Sequence, residues 1–204
     1  MYLEIAADSN QRETYLAVHI SDVHLDNLYT PGTIANCDGY LCCHESDGYP
    51  KKEGEIAAGY WGAYLCDIPT RTFTTMLDFI KAEVKPDMLI MTGDYSSHNE
   101  GYNDIQEVTE YVIQVTELIK AAFVDTDITV LPIQGNHDTF PLNIEDFSSP
   151  GINYPINHFK DSWRDWLTEE AIETYGKFGY YSMPITLRNG KQMPLGSRVI
   201  GINT

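Results

Sequence analysis

The sequence predicts an α/β fold in which helices cover a largely parallel sheet. Short runs of apolar and β-branched residues alternate with longer segments in which apolar residues recur at helical spacing. The order strand, helix, strand, helix, strand implies right-handed crossovers, which leave neighbouring strands parallel and the helices on the faces of the sheet. No internal repeat or linker interrupts the 204 residues, so we expect one globular unit.

Five elements up to residue 133 carry this prediction. In the first helix, Phe73, Leu77 and Ile80 fall on one face, and Pro86 ends the segment. In the second, Val108, Val112, Val115 and Ile119 form the apolar stripe. The predicted strands are 15–20, 88–92 and 128–133, and the predicted helices are 70–84 and 105–123.

The remaining segments are less regular. A long excursion, 25–67, separates the first strand from the first helix. After residue 135 the pattern indicates one or two helices within 156–175. Two strands follow at 179–187 and 198–202, which we expect to be joined by a hairpin turn at Arg188-Asn189-Gly190-Lys191.

Composition limits the partners and the compartment of the protein. With 30 acidic against 13 basic residues the formal net charge is −17, which repels a phosphate backbone and argues against a nucleic-acid partner. No apolar stretch reaches the length of a membrane span. Residues 1–12 lack the basic start and apolar core of a signal peptide, so the protein is either cytoplasmic or carries its signal upstream.

The four cysteines lie close together in the excursion, which is rich in Gly, Asp, Pro and Tyr. Two disulfides would stabilise a region that cannot bury much surface, and they would favour an oxidising compartment. A zinc knuckle is less consistent, because the paired Cys-x-x-Cys spacing is missing. Reduced structural thiols are the third alternative. The cysteines are Cys37, Cys42, Cys43 and Cys66.

A polar motif follows each of the three predicted parallel strands. Asp22-Val-His24 follows the first, Gly93-Asp94 the second and Gly135-Asn136-His137-Asp138 the third. The carboxyl ends of parallel strands meet at one edge of the sheet, so carboxylate, imidazole and amide ligands are brought together. An extended backbone would project the first aspartate and histidine to the same side. Each motif alone is compatible with a plain turn, but the three together predict a metal site.

In this order the motifs resemble those of the calcineurin-like metallophosphoesterase superfamily. Purple acid phosphatases have a tyrosine where this chain has Ser97, whereas His98, four residues after the aspartate, is similar to the pattern of acid sphingomyelinases and their phosphodiesterase-like relatives. The cysteine segment is also similar to theirs, from Asn36-Cys37 through Gly59-Tyr60-Trp61-Gly62 to Cys66-Asp67-Ile68-Pro69. The resemblance covers nearly the whole chain.

The resemblance implies a fold and a domain organisation. The fold would be the αββα sandwich of calcineurin-like metallophosphoesterases, here only its first part. Residues 15–204 would form the amino-terminal two thirds of the catalytic domain, preceded by an extension at 1–14. The implied disulfides, in a loop at 36–67, are Cys37 with Cys42 and Cys43 with Cys66.

The resemblance also implies site residues. Asp22, His24 and a bridging Asp94 would hold a first zinc ion, and Asp94 with Asn136 a second, so the complete enzyme would carry two Zn²⁺. Asn136 would supply a neutral amide oxygen that adds no further negative charge beside the bridging carboxylate.

Two histidines are implied as catalytic. His98 and His137 would meet the scissile phosphate and protonate the departing alkoxide. The implied reaction is zinc-dependent hydrolysis of sphingomyelin to ceramide and phosphocholine, or of a related phosphodiester, in a secreted or lysosomal enzyme. The implied substrate would be a phosphodiester, in particular a phospholipid, and no substrate-binding residue can be named from the sequence.

The chain departs from the family pattern after Asn136. The family completes its metal site with later histidines, whereas here only His137 and His158 follow. We therefore expect residues 1–204 alone to bind at most one zinc ion and to hydrolyse diesters negligibly. Three alternatives are a non-catalytic relative that binds a lipid or protein partner, a nucleotide phosphodiesterase of the sphingomyelinase-like branch, and a cytoplasmic phosphatase with the same core.

Other conspicuous residues are expected to have structural roles. His19 is predicted to be a hydrogen-bonded core residue, His44 to face solvent, and His158 to be structural or exposed at the start of a helix. Tyr60, Trp61 and Tyr64 form either an apolar rim for lipid tails or packing around a disulfide.

Overall fold

The main sheet of the protein has four strands. We describe it from a computed structural model, which covers residues 2–6, 14–99, 104–146 and 155–203. Strands β2, β3 and β4 are parallel, which confirms the predicted α/β class with a parallel sheet. Their carboxyl ends therefore open at one edge. The strands are β1 (Tyr2–Ala6), β2 (Thr14–Ile20), β3 (Met88–Met91) and β4 (Thr129–Pro132), in the order β1-β2-β3-β4.

Strand β1 adds a strand where the sequence pattern had indicated none. It lies antiparallel to β2, with a register that runs from Tyr2 opposite Val18 to Ala6 opposite Thr14. These residues belong to the segment 1–14 that we interpret as an amino-terminal extension. Because β1 pairs on one side and β3 on the other, β2 is an inner strand of the sheet.

Two helices connect the parallel strands, as the sequence predicts. Helix α1 spans Thr70–Phe79 and continues as a π-helical turn at Ile80–Val84. Helix α2 spans Ile105–Phe123, and Asp104 caps it by accepting a hydrogen bond from the N–H of Glu107. Within the described residues, neither α2 nor another helix is long and apolar enough to span a membrane. The predicted stripe of α2 is buried against the core: Val108, Val112, Val115 and Ile119.

The segment after residue 155 forms a second, smaller layer. Two antiparallel strands form a separate sheet, and the hydroxyl of Tyr181 donates a 2.8 Å hydrogen bond to the carbonyl of Pro132 in β4. This contact joins the two sheets through the core. The elements are α3 (Ile156–Phe159), a 3-10 turn at Lys160–Trp163, α4 (Glu169–Phe178), β5 (Tyr180–Pro184) and β6 (Arg198–Ile202).

The connection between β5 and β6 differs from the predicted hairpin. Pairing ends with Pro184 opposite Arg198, so residues 185–197 join the two strands. A turn does occur at 188–191, but its side chains bond to the buried carboxylate of Asp87 near the amino end of β3. The tight hairpin prediction is wrong because these tertiary contacts hold the turn against the main sheet.

The disulfide loop, residues 36–67, has little regular structure. Its bridges are Cys37–Cys42 and Cys43–Cys66, the pairing that the resemblance implied. Because the loop cannot rely on a strand or a long helix, it is held by these bridges and by a small cluster that it shares with the segment just before it, separate from the main core. The buried members of that cluster are Tyr29, Ala35, Cys43 and Ala58.

Candidate metal centre

Three loops leave the carboxyl ends of the parallel strands and meet at one edge of the sheet. We call residues 21–26, 93–98 and 134–139 the strand-end loops. Backbone hydrogen bonds between the first two continue the parallel pairing beyond the strands, so the motifs are held side by side. The N–H groups of Asp22, His24 and Leu25 donate to the carbonyls of Gly93, Asp94 and Tyr95, at 3.1, 2.9 and 2.9 Å.

Three of the predicted metal ligands have a left-handed backbone. The φ angle is 56° at Asp22, 39° at His24 and 56° at Asp94. Residues with a Cβ seldom adopt such angles, which cost free energy and are concentrated at functional sites. The predicted extended geometry at residues 22–24 is therefore wrong. With this left-handed backbone, rather than the alternation of a strand, the two side chains still approach each other, with Nε2 of His24 4.0 Å from Oδ1 of Asp22.

Two glycines allow the second and third strand-end loops to touch. Gly93 has a φ of 92°, and a Cβ placed on it would lie 1.9 Å from the backbone nitrogen of Gly135. A Cβ on Gly135 would lie 2.2 Å from Oδ1 of Asp94. A side chain at either position would push the loops apart, so both glycines are needed for the geometry around Asp94.

The buried carboxylate of Asp138 ties the same two loops together. Its Oδ2 accepts hydrogen bonds from the N–H groups of Asp94 and Gly135, at 2.8 and 2.9 Å. Its Oδ1 accepts from those of Tyr95 and Ser96, at 2.8 and 3.3 Å. Burial raises the pKa of Asp138 to about 7, and these donors oppose the rise. Sequence reasoning assigned Asp138 no role, because an aspartate that organises a turn from inside looks like an ordinary turn residue.

His24 is oriented toward the two carboxylates. Its Nδ1 lies 2.9 Å from the carbonyl of Ser96, which makes Nδ1 the protonated nitrogen. Its Nε2 lies 4.0 Å from Oδ1 of Asp22 and 3.9 Å from Oδ2 of Asp94. Burial lowers the pKa of His24, as do the neighbouring histidines, and this favours the neutral imidazole that binds metals.

Three histidine rings lie in mutual contact beside these carboxylates. His98 stacks on His24 with ring centroids 3.7 Å apart, and His137 meets the two rings edge-on at 4.7 and 4.9 Å. One nitrogen of each lies within 4.8 Å of the others. The three histidines thus form one possible set of metal ligands. A second set consists of Asp22, His24 and Asp94, so His24 belongs to both.

His98 is also held from behind by a residue that sequence reasoning had not assigned a role. Its Nδ1 lies 2.8 Å from Oδ1 of Asp67, and its backbone N–H donates to Oδ2 of the same carboxylate at 2.6 Å. Asp67 is buried and directly follows Cys66. Its place in the cysteine segment was visible in the sequence, but its contact with residue 98 depends on how the disulfide loop folds back.

Asn136 is exposed on the third strand-end loop. Its Nδ2 donates a 2.7 Å hydrogen bond to Oδ1 of Asn143, which leaves its own Oδ1 as the atom able to bind a metal. The next residue, His137, donates its backbone N–H to Oδ1 of Asp94 at 2.9 Å. Asn136 is thus tied close to the cluster, and its role as a ligand stays a prediction.

The donor set fits a divalent metal ion. Oxygens of Asp22 and Asp94 and a nitrogen of His24 all lie within 4.8 Å of one another. Two donors on one zinc ion at about 2.1 Å lie roughly 3.4 Å apart, so modest side-chain rotation brings these three onto one ion. Carboxylate and imidazole are hard to borderline ligands that suit zinc and similar divalent metals. The chemistry of the residues therefore matches a metal centre at this edge.

A cavity of about 320 Å³ opens beside His137. Two of its polar members are engaged elsewhere, since Ser97 donates to Asp67 and Thr139 donates to the carbonyl of Asn136. The lining also includes His137, so the cavity combines apolar side chains with one imidazole of the histidine cluster. It is lined by Ser97, Val108, His137, Thr139, Phe140, Pro141 and Leu142.

The histidines outside the cluster test the structural predictions. His19 has its Nε2 2.8 Å from Oγ1 of Thr92, which confirms the predicted hydrogen bond, but it is half-buried, so the predicted core position is wrong. His158 is exposed on α3, as predicted. The prediction for His44 is wrong, because its ring is buried with Nε2 2.8 Å from Oδ2 of Asp26. Solvent exposure was inferred from its loop position alone, without this buried partner.

The aromatic segment of the disulfide loop faces solvent. Tyr60, Trp61 and Tyr64 have exposed fractions of 62%, 58% and 101%. The alternative that they pack around a disulfide is therefore wrong. Arg71 lies over the ring of Tyr60, with the guanidinium carbon 4.7 Å from the ring centroid. A lipid-facing rim stays a prediction.

Comparison with known proteins agrees with this geometry. The chain is 34% identical over 200 residues to sphingomyelin phosphodiesterase B of Dictyostelium discoideum, 97% of this chain and 30% of that protein. It is 32% identical over 171 residues to sphingomyelin phosphodiesterase of Bos taurus, 80% of this chain and 27% of that protein. It is 34% identical over 186 residues to acid sphingomyelinase-like phosphodiesterase 3b of Mus musculus, 89% of this chain and 38% of that protein.

The chain thus spans about a third of the length of these relatives. The sequence model of the calcineurin-like phosphoesterase family matches residues 16–197, which include all three strand-end loops. Because this match covers most of the chain and the motifs meet at one sheet edge, the protein belongs to the calcineurin-like phosphoesterase family.

Proposed function

We propose that this chain forms the metal-binding part of a zinc-dependent phosphodiesterase of the acid sphingomyelinase type, which cleaves sphingomyelin or a related phosphodiester. The observation that carries the proposal is the convergence of Asp22, His24 and Asp94 with His98 and His137 at one edge of the sheet. A metal-binding set with two adjacent imidazoles suits hydrolysis of a phosphate ester. The names of the relatives support a sphingomyelin-like substrate.

The metal ligands of the proposed enzyme are Asp22, His24, Asp94 and Asn136. Asp94 would be the ligand shared by two zinc ions, and its carboxylate lies between the two motifs, since Oδ2 lies toward His24 and Oδ1 accepts the N–H of His137. When bound, the ions would neutralise the phosphoryl oxygens and activate the attacking water. Asn136 contributes a neutral oxygen, which keeps the total negative charge of the site low.

The two other histidines act on the substrate. An alkoxide leaving group needs a proton, and an imidazole within hydrogen-bond reach is a suitable donor. His98 and His137 have ring centroids 4.7 Å apart, so both can reach one phosphate. The cavity beside His137 is positioned to receive an uncharged arm of the diester.

The disulfides support an extracellular or lumenal location. All four cysteines are paired, a state typical of extracellular and lumenal proteins. Secretion or delivery to the lysosome fits both this state and the resemblance. Free thiols in the native protein would favour the cytoplasmic alternative instead.

The test compares substrates on the protein as expressed from its natural reading frame. Sphingomyelin, a nucleotide pyrophosphate and a phosphate monoester are assayed with zinc present, beside the His137→Ala variant. We expect phosphocholine release from sphingomyelin, lowered about 100-fold or more in the variant. Preference for the nucleotide would favour the nucleotide-phosphodiesterase alternative. Zinc binding without hydrolysis of sphingomyelin or of the nucleotide pyrophosphate would contradict the enzymatic proposal and favour a non-catalytic binder.

A further inference from the structure

We propose that Asp67 is the positioning residue of His98, and that it couples the disulfide loop to proton transfer at the active site. The inference rests on the proposed function, because it assigns Asp67 a role through the histidine that protonates the leaving group. Asp67 does not reach the phosphate in this account. It acts by fixing the orientation and the tautomer of the His98 ring.

The contacts of Asp67 converge on one short segment. Oδ1 lies 2.8 Å from Nδ1 of His98, and Oδ2 accepts the backbone N–H of His98 at 2.6 Å. Oδ2 also accepts the hydroxyl of Ser97 at 3.0 Å. Among the described residues, His98 is also the ion-pair partner of Asp67. Two of these bonds fix the backbone and the ring of His98, and the third fixes the side chain of the residue before it.

Because Asp67 is buried, its carboxylate depends on the hydrogen bonds from Ser97 and His98. Asp67 is 8% exposed, and a carboxylate removed from water costs free energy unless hydrogen bonds compensate it. The compensating donors come from Ser97 and His98, so the segment that carries His98 and the carboxylate require each other. A surface aspartate with a mobile partner would impose no such geometry.

The backbone around Asp67 is itself fixed on both sides. Cys66 is disulfide-bonded to Cys43, which is fully buried. On the other side, the N–H of Ile68 donates to the carbonyl of His24 at 3.3 Å. The carboxylate is thus held between the disulfide and the first strand-end loop.

The chemical consequence concerns the two ring nitrogens. A carboxylate can only accept a hydrogen bond, so Nδ1 of His98 carries a proton, which leaves Nε2 as the nitrogen that can meet a substrate. The proton given to the departing alkoxide would come from Nε2 of the doubly protonated ring, and the ring would be left neutral with its proton on Nδ1. Without Asp67 the ring could rotate and exchange tautomers, and the fraction of correctly oriented His98 would fall. Comparable partners of functional histidines are typically worth 10 to 100-fold.

The same disulfide provides a matched control. On its other flank His44 pairs with Asp26 at 2.8 Å, a buried carboxylate–histidine pair of the same length as Asp67 with His98. Since His44 and Asp26 do not include a proposed proton donor, breaking that pair perturbs stability without touching His98.

The test uses Asp67→Asn, with His44→Gln as the control. The kcat is measured on a diester with an alkoxide leaving group and on a nitrophenyl diester, whose leaving group needs no proton. We expect Asp67→Asn to lower kcat about 10 to 100-fold on the alkoxide diester and less than about 3-fold on the nitrophenyl diester. The KM should change little for both. In His44→Gln the ratio of the two kcat values should match that of the parent.

A second measurement needs neither an activity assay nor the Asp67→Asn variant. The tautomer of His98 in the parent protein is read from ¹⁵N NMR couplings of its ring, and the Nδ1-protonated form should dominate. Equal losses on both substrates, or a dominant Nε2-protonated form, would overturn the assignment of Asp67. A parent that hydrolyses neither diester would instead contradict the proposed function, while the tautomer still decides the role of Asp67.

Discussion

The strand-end loops and the disulfide loop are both irregular, yet they are stabilised by different means. The strand-end loops extend the pairing of a parallel sheet, and the buried carboxylate of Asp138 holds two of them together. The disulfide loop has two covalent bridges and a small core that it shares with Tyr29 and Ala35 just before it. Both contribute to one site, because Asp67 from the second region contacts His98 in the first. Irregular segments can thus have a fixed conformation where a buried carboxylate accepts hydrogen bonds from their N–H groups.

The largest effect is expected from Asp138. The Asp138→Ala change leaves the N–H groups of Asp94, Tyr95, Ser96 and Gly135 without their buried acceptor, and should lower the free energy of unfolding by about 4 kcal/mol. Urea unfolding measures it.

A matched surface change serves as the control for Asp138. The side chain of Asp125 is 81% exposed, so Asp125→Ala should change the free energy of unfolding by less than about 0.5 kcal/mol. Similar losses in the two variants would show that Asp138 is not what joins the strand-end loops.

The two disulfides should differ in their contribution to stability. The double change Cys43→Ser with Cys66→Ser opens a bridge with a sequence separation of 23 and should cost about 3 kcal/mol, whereas Cys37→Ser with Cys42→Ser opens one with a separation of 5 and should cost about 2 kcal/mol. Thermal unfolding of both variants gives the comparison. A larger loss for the short bridge would mean that loop entropy is not how these disulfides act.

A smaller but more local effect is expected from Gly135→Ala. The new Cβ would meet Oδ1 of Asp94 at 2.2 Å, so the carboxylate must move and zinc affinity should fall about 10-fold, with a loss of about 2 kcal/mol in stability. Gly190→Ala is the control, because it has a φ of 80° but open space around it. It should cost about 1 kcal/mol through backbone strain and leave zinc affinity unchanged. Equal zinc affinities in the two variants would contradict the close approach at Asp94.

Much of the fold follows from the pattern of apolar residues. The parallel strands and α2 lie within a residue of their predicted positions, because long periodic segments bury a continuous face. Strand β1 was not predicted, since five residues without strong alternation are recognisable only by their pairing with β2. The turn at 188–191 was assigned to a hairpin, because its contacts with Asp87 are not visible in local sequence.

The sequence predicted the site less completely than the fold. The strand-end motifs predicted that Asp22, His24 and Asp94 lie together, since strand ends of a parallel sheet converge, and the structure brings them within 4.8 Å of one another. Their role as metal ligands stays a prediction. The left-handed backbone at these residues was not predictable, because no glycine marks positions 22, 24 or 94. Asp67 and Asp138 were also missed. Their importance comes from burial and from donors that are mostly distant in sequence, 42 to 44 residues away for three of the N–H groups on Asp138 and 30 or 31 residues away for Asp67.

The central claim is that a metal ion binds to the group of Asp22, His24 and Asp94 and not to the group of three histidines. The most direct measurement is zinc affinity by competition titration in the parent, Asp94→Asn and His137→Ala. Because Asp94 is a ligand in this account, Asp94→Asn should weaken binding by more than about 100-fold, beyond what outer partners of a metal site usually contribute, while His137→Ala should stay within about 3-fold of the parent. An equal loss in His137→Ala would place the ion among His24, His98 and His137, and would contradict the account.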